Sequence, residues 1–256
     1  MKARKHPRLL RYIQQLQSDH PWGTFLDAGT GVQSIRWIAS LDTERWTAVS
    51  ASPRQSERVR DAIKPSQRPN DKIVLGNWVD PKLLNDETYD TVLADYLLGA
   101  IEGFSPYYQP YLFKRLRPLT RRILYVKGLE PYVPTMRPQN TSGRILWEIG
   151  RFRDACVLHG NDIPYREYPA GWVVDNLRMN GFEVLTVKHF DIRYKKLFVN
   201  AQIDICAPII ERLVDRDLAE ALKAHGETLR KKALDVINSE GALCSGRNYV
   251  ISAKPV

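Results

Sequence analysis

The sequence predicts an α/β fold: a doubly wound, mostly parallel seven-stranded sheet with helices on both faces and helical insertions near the C-terminal strand ends. Three observations carry this prediction. Strand-like apolar runs alternate with amphipathic segments, the pattern of parallel strands joined by covering helices. An apolar strand turns into a helix through Asp27-Ala28-Gly29-Thr30-Gly31, where glycines permit a tight turn and close approach of a ligand to the backbone. The length, 256 residues, suits one large core better than two independent ones, so a single domain over 1–256 is expected.

The elements follow in order. A helix over Pro7–Gln17, within an N-terminal segment 1–20, places Leu9, Leu10, Ile13 and Leu16 on one face. Strand 1 is Thr24–Asp27, followed by a helix over Val32–Ser40 and strand 2 over Trp46–Ser50. Ser52 as N-cap and Pro53 at the first helical position open the next helix, which runs to Ile63. Strand 3 is Lys72–Leu75 and strand 4 is Thr91–Ala94. Gly99 and Gly103 then break the pattern before a helix over Pro106–Leu116, and strand 5 is Arg122–Val126.

Pro131, Pro134 and Pro138 mark a loop before a helix over Ile145–Leu158. A further helix, Gly171–Met179, stops at Asn180-Gly181 ahead of strand 6, Phe182–Phe190. Helical periodicity over Val199–Leu213 and Asp217–Ile237 precedes the closing strand Asn248–Ala253. Segments 128–181 and 199–246 are therefore expected to form a helical cap. The ligand crevice of such a sheet lies at the strand C-termini, which directs attention to the loops after residues 27, 50, 76, 95 and 127.

The first of these loops is the most informative. A dinucleotide fingerprint, G-x-G-x-x-G, would need a third glycine where Ser34 stands, and has no acidic residue directly before the loop. The segment Phe25-Leu26-Asp27-Ala28-Gly29-Thr30-Gly31, with Ala94-Asp95-Tyr96 ending strand 4 and Tyr249-Val250-Ile251-Ser252-Ala253-Lys254 closing the sheet, instead resembles the class I, Rossmann-like S-adenosylmethionine-dependent methyltransferases. The resemblance implies a transferase that takes S-adenosyl-L-methionine as cofactor, with Asp27, Gly29 and Gly31 around its methionine part. It departs from the family at strand 2, where an acid usually grips the ribose and this chain has Ser50; a hydroxyl lacks the bidentate acceptor capacity of a carboxylate, so Glu57 or water would have to compensate.

Other residues fall where the resemblance expects contacts. After strand 3, Asn77 could hydrogen-bond the adenine and Trp78 could stack on it, against the plainer reading of a turn asparagine and a core tryptophan. Asp95 and Tyr96 occupy the rim where donor and acceptor would meet, with a helix cap as the competing reading of Asp95. For the acceptor, Arg144, Arg151 and Arg153 could hold an anionic or carboxylate-bearing small molecule, with Glu148 on the same face as Arg151. A surface ion-pair ladder is the competing reading. His159 is the leading candidate base beside Asp95. Tyr107 and Tyr108 are candidate pocket walls, and Arg193, beside Tyr194, is a further candidate.

Composition bounds the partners. The net charge of +9 favours anionic partners, but the basic residues fall in short groups at 2–11, 54–60, 114–122 and 193–196 rather than one face. Strand 4 ends Ala94-Asp95-Tyr96-Leu97, not the [DNS]-P-P-[YFW] of enzymes that methylate base amino groups. A small-molecule acceptor is therefore preferred to RNA or DNA. A non-catalytic scaffold subunit and an NAD(P) oxidoreductase also compete with the methyltransferase reading. No window has the roughly 18–20 apolar residues of a membrane span, and no signal core follows the basic Met1–Arg11, so a cytoplasmic location with no membrane partner is expected. Cys156, Cys206 and Cys244 are odd in number and widely spaced, which reads as free, mostly buried thiols with no metal site. Apolar faces on the helices at 199–237 leave a homodimer open.

Overall fold

Two buried residues, Phe25 and Leu26, anchor the first strand between two parallel neighbours. The computed structural model describes residues 6–18, 20–133 and 135–256. The expected basic start at Met1–Lys5 and the loop proline Pro134 lie outside the described residues. In chain order the elements are α1 (Arg8–Gln17), β1 (Thr24–Asp27), α2 (Val32–Ile38), β2 (Arg45–Ser50), α3 (Pro53–Ile63), β3 (Lys72–Leu75), β4 (Tyr89–Asp95), α4 (Leu97–Ile101) and α5 (Gln109–Leu116). There follow β5 (Thr120–Leu129), α6 (Thr141–His159), α7 (Ala170–Met179), β6 (Phe182–Tyr194), α8 (Lys196–Asp204), α9 (Ala207–Ile210), α10 (Arg216–Glu240) and β7 (Leu243–Pro255).

The strands form one seven-stranded sheet in the order β3-β2-β1-β4-β5-β7-β6. Pairings from β3 through β5 are parallel. The sheet is nonetheless mixed. Val256 N–H donates to the Gly181 carbonyl and Lys254 pairs with Glu183, so the end of β7 meets the start of β6 and the two run antiparallel. A chain that has built five parallel strands reaches its last position here from the opposite end.

The switch point lies at β1, whose neighbours are β2 and β4. Consecutive strands thus run outward from β1 in one direction and, after β3, in the other. In open sheets of this kind a switch point is where the loops at the carboxyl ends diverge and a ligand crevice is expected. Local chemistry sets the element boundaries: the Ser52 hydroxyl accepts from Gln55 N–H at the start of α3, with Pro53 behind it. Asn140 accepts from Gly143 N–H to open α6, and Asp215 from Leu218 N–H to open α10. Each satisfies a donor that the helix itself leaves unpaired.

Asp71, in the turn before β3, is a buried clasp. Its Oδ1 accepts from Trp46 N–H and Arg68 Nη2, and its Oδ2 from Arg68 N–H and Nε. These bonds tie the start of β2 to the start of β3. Asp71→Ala leaves the Trp46 amide unsatisfied and is expected to cost about 2–3 kcal/mol. Urea denaturation measures this, and a loss below about 0.5 kcal/mol would show the clasp to be unimportant.

The chain divides into two compact units: residues 1–129, 167–189 and 249–256, and residues 130–166 and 190–248. The core of the first packs Leu26, Val92, Leu98, Phe113, Leu124 and Ile251 among others. The core of the second packs Ile145, Ile149 and Phe152 of α6 with Val199, Leu229 and Ala233. Helix α7, expected within the helical cap, belongs to the first unit, where Val173 and Leu177 join its core. Among the described residues no helix is long and apolar enough to cross a membrane. Cys156 and Cys206 are buried free thiols, whereas Cys244 is exposed.

Candidate active site

The glycine loop is pinned from both sides. Ala28 N–H donates to Leu93 O of β4, and Thr30 N–H to Val49 O of β2. From below, the Trp78 indole donates to Ala28 O at 2.7 Å, and the Tyr108 hydroxyl donates to Trp78 O. Trp78 is 4% exposed, which corrects the expectation of a stacking surface for adenine: it braces the loop from within the core. Tyr108 likewise serves as its support rather than as a pocket wall. Tyr107 is exposed, with a positive φ of 67°.

The two loop glycines differ in kind. A side chain at Gly29 would lie 2.7 Å from Leu97 Cδ1, so packing itself demands glycine there. A methyl group at Gly31 would have Gln55 Nε2 as its nearest neighbour, at 3.7 Å, and the backbone is extended at φ −132°. Neither sterics nor conformation requires glycine at that position. A bare backbone there instead leaves room for something outside the protein to approach.

Asp27 ends β1 fully buried. Its Oδ2 accepts from the Ser34 hydroxyl at 2.8 Å, and the same hydroxyl accepts from Gly31 N–H at 3.0 Å. The buried Thr30 hydroxyl lies close enough to Asp27 to lower its carboxyl, but no well-formed hydrogen bond reaches Asp27 Oδ1 among the described residues. Burial pushes the Asp27 carboxyl up to about 7; the Ser34 and Thr30 hydroxyls and the charge of Lys127 oppose this, and the charge of Asp95 adds to it. A carboxylate oxygen held dry, with no well-formed hydrogen bond and beside an open backbone, is suited to a cationic ligand group.

Asp95, at the end of β4, is not a free carboxylate. Lys127 Nζ lies 2.7 Å from Asp95 Oδ1 and 4.7 Å from the Tyr96 ring centroid. The two strand positions face one another in register, and the lysine side chain is 3% exposed. Tyr96 adopts a left-handed conformation at φ 51°, and its N–H donates to Lys127 O. Asp95, expected at the rim as a catalytic and cofactor-binding residue, is thus held as the charge partner of Lys127.

Ser50 spends its hydroxyl locally, donating to Ser52 O and accepting from Ser52 N–H. Glu57, the acid expected to compensate, is exposed on α3. The side chain nearest the open face of Gly31 is that of Gln55. Asn77 is held by its neighbours: its amide donates to Phe104 O and its oxygen accepts from Ser105 Oγ and Val79 N–H.

The arginine group expected to grip an acceptor belongs to the second unit. Arg153 donates twice to Asp154 and once each to Gln202 and Tyr132. Glu148 lies between Arg137 at 3.2 Å and Lys232 at 2.7 Å. Burial acts to raise its carboxyl, but the bonds and charges of Lys232 and Arg137 hold it below the usual range. Both residues are committed to ion pairs within the protein, which corrects their assignment as acceptor contacts. Arg151 stacks on Trp147 at 4.6 Å. Arg144 is half-buried near the start of α6, His159 is exposed at its end and Arg193 is exposed on β6.

Sequence reasoning missed Ser34 and Lys127. Ser34 was legible only as the absent third glycine. Lys127 was signalled by a cation ending the apolar run Ile123-Leu124-Tyr125-Val126, a position that in a buried parallel strand calls for a counter-charge.

No family model and no curated protein matches the chain. Solved structures match over nearly its whole length. A candidate methyltransferase (BH2331) from Bacillus halodurans C-125 superposes with a TM-score of 0.61 at 13% identity, covering 96% of this chain and 99% of that one. Mycolic acid cyclopropane synthase CmaA1, complexed with SAH and CTAB, gives 0.55 at 15% identity over 96% and 83%. The [4+2]-cyclase SpnF gives 0.56 at 14% identity over 97% and 80%. The chain has the fold of the class I S-adenosylmethionine-dependent methyltransferases.

Proposed function

We propose that the chain is a methyltransferase that binds S-adenosyl-L-methionine at the carboxyl ends of β1, β2 and β4 and methylates a small molecule, anionic or carboxylate-bearing. The observation that carries this reading is the buried Asp27 carboxyl, whose Oδ1 makes no well-formed hydrogen bond, beside the open backbone of Gly31. The residues present fit the donor: Asp27 would accept from its ammonium, and the Gly31 backbone leaves room for its chain. Gln55 and the Ser50–Ser52 turn would meet the ribose in place of a strand-end acid. The bound donor supplies an electrophilic sulfonium methyl, and transfer needs alignment and exclusion of water.

Within this reading the Asp95–Lys127 pair holds the rim in place while keeping it electrically balanced. The acceptor's net charge is read from the protein's own excess of +9, which attracts anions over distance. Calorimetric titration with S-adenosylmethionine tests the proposal. A saturable heat at micromolar to tens of micromolar donor is expected; no heat at millimolar donor would remove it.

A further inference from the structure

The second unit contains a groove of about 570 Å³ between α6 and α10, a size ordinary for small-molecule sites. Its walls are chiefly apolar: Trp147, Phe152, Ala155 and Leu158 from α6, Leu222 from α10. Leu158 is 61% exposed, a large apolar side chain that the protein does not cover. Residues 147, 151, 155 and 158 recur at helical spacing, so they line one face of α6 over about 16 Å.

The charges around this groove do not cancel. The Glu148 carboxylate carries two cations, Arg137 and Lys232, and Asp154 is paired with Arg153. The Arg151 guanidinium, held over Trp147, meets no carboxylate among the described residues. His225, packed edge-on against Phe152, completes the polar groups of the rim. A guanidinium oriented by an indole face, with its N–H donors unspent, is arranged for a carboxylate.

We infer that this groove binds an amphipathic carboxylate, its head on Arg151 and its apolar body along Ala155, Leu158 and Leu222. The site lies within the second unit alone and stands whether or not the first unit binds a methyl donor. Its affinity follows from two separable parts: the charge-assisted bond at the head, and the apolar area covered by the tail. Each added methylene that reaches the groove strengthens binding by roughly fourfold.

Decanoate, decanol and decyltrimethylammonium, each below its micelle concentration, test the inference on the full chain through tryptophan fluorescence and calorimetry. Decanoate is expected to bind saturably and at least tenfold more tightly than the other two. Arg151→Gln, at an exposed position, should remove that preference, and Ala155→Phe should weaken all binding by filling the groove. Equal affinity for the three probes, or decanoate binding unchanged in Arg151→Gln, would overturn the inference. Should Ala155→Phe fail to fold, Arg151→Gln and octanoate against decanoate decide the matter alone.

Discussion

Asp27→Asn is expected to abolish most donor binding while making the protein more stable at alkaline pH. The carboxyl stands at about 7 in the folded chain against 3.8 for an ordinary aspartate. Ionisation therefore opposes folding: the cost is absent below 3.8, grows as the pH rises and is complete above 7. At about 1.4 kcal/mol per pH unit it reaches about 4 kcal/mol. Asparagine keeps the shape and does not ionise.

The stability gap between Asp27→Asn and the parent should widen by about 2–3 kcal/mol between pH 5 and pH 8, read from urea midpoints. A gap independent of pH would show that Asp27 titrates as an exposed acid does. Donor affinity should move oppositely. Loss of a charge-assisted bond to an ammonium weakens binding by about 10- to 100-fold, so the variant would be the sturdier protein and the poorer binder. This opposition is what a group retained for function, against stability, must show.

Lys127→Met is the second large effect. It removes the cation from a pair whose side chains are 3% and 10% exposed, leaving Asp95 without its counter-charge next to Asp27. Breaking a buried pair in this way costs about 3–5 kcal/mol. The double variant Lys127→Met, Asp95→Leu removes the stranded charge and should recover most of that loss. If the single and double variants unfold at the same denaturant concentration, the pair does not hold the rim together.

Much of the fold was legible because its signals are local. Strand β1, helix α3 and strand β3 have the bounds read from the sequence, since Asp27, the Ser52-Pro53 cap and the Gly76 turn punctuate them. Other elements escaped for identifiable reasons. Gly99 was read as a break, yet it sits inside α4, where a side chain would meet the Glu167 carboxylate at 2.9 Å. Strands β6 and β7 extend to 13 residues each because their outer halves alternate with polar residues rather than following the apolar core run. The antiparallel placement of β7 depends on which strand it reaches, and no local pattern encodes that.

The site divides in the same way. Asp27 and the glycines could be singled out because a turn between strand and helix has a sequence signature. That Asp27 is buried with an under-bonded carboxyl, that Trp78 points inward and that Arg153 and Glu148 are spent on neighbours all depend on groups that other elements bring to them. A side chain's chemistry is written at its position; its availability is written elsewhere.

The central claim is that Gly31 is glycine for a ligand and not for the fold. Its backbone is extended, and a methyl group there would touch nothing closer than 3.7 Å. Titration of Gly31→Ala with S-adenosylmethionine, beside its thermal midpoint, measures this directly. The account predicts affinity at least tenfold weaker than the parent's with a midpoint unchanged or slightly raised, as for glycine replacement at an unstrained position. Parental affinity in a folded Gly31→Ala would contradict it.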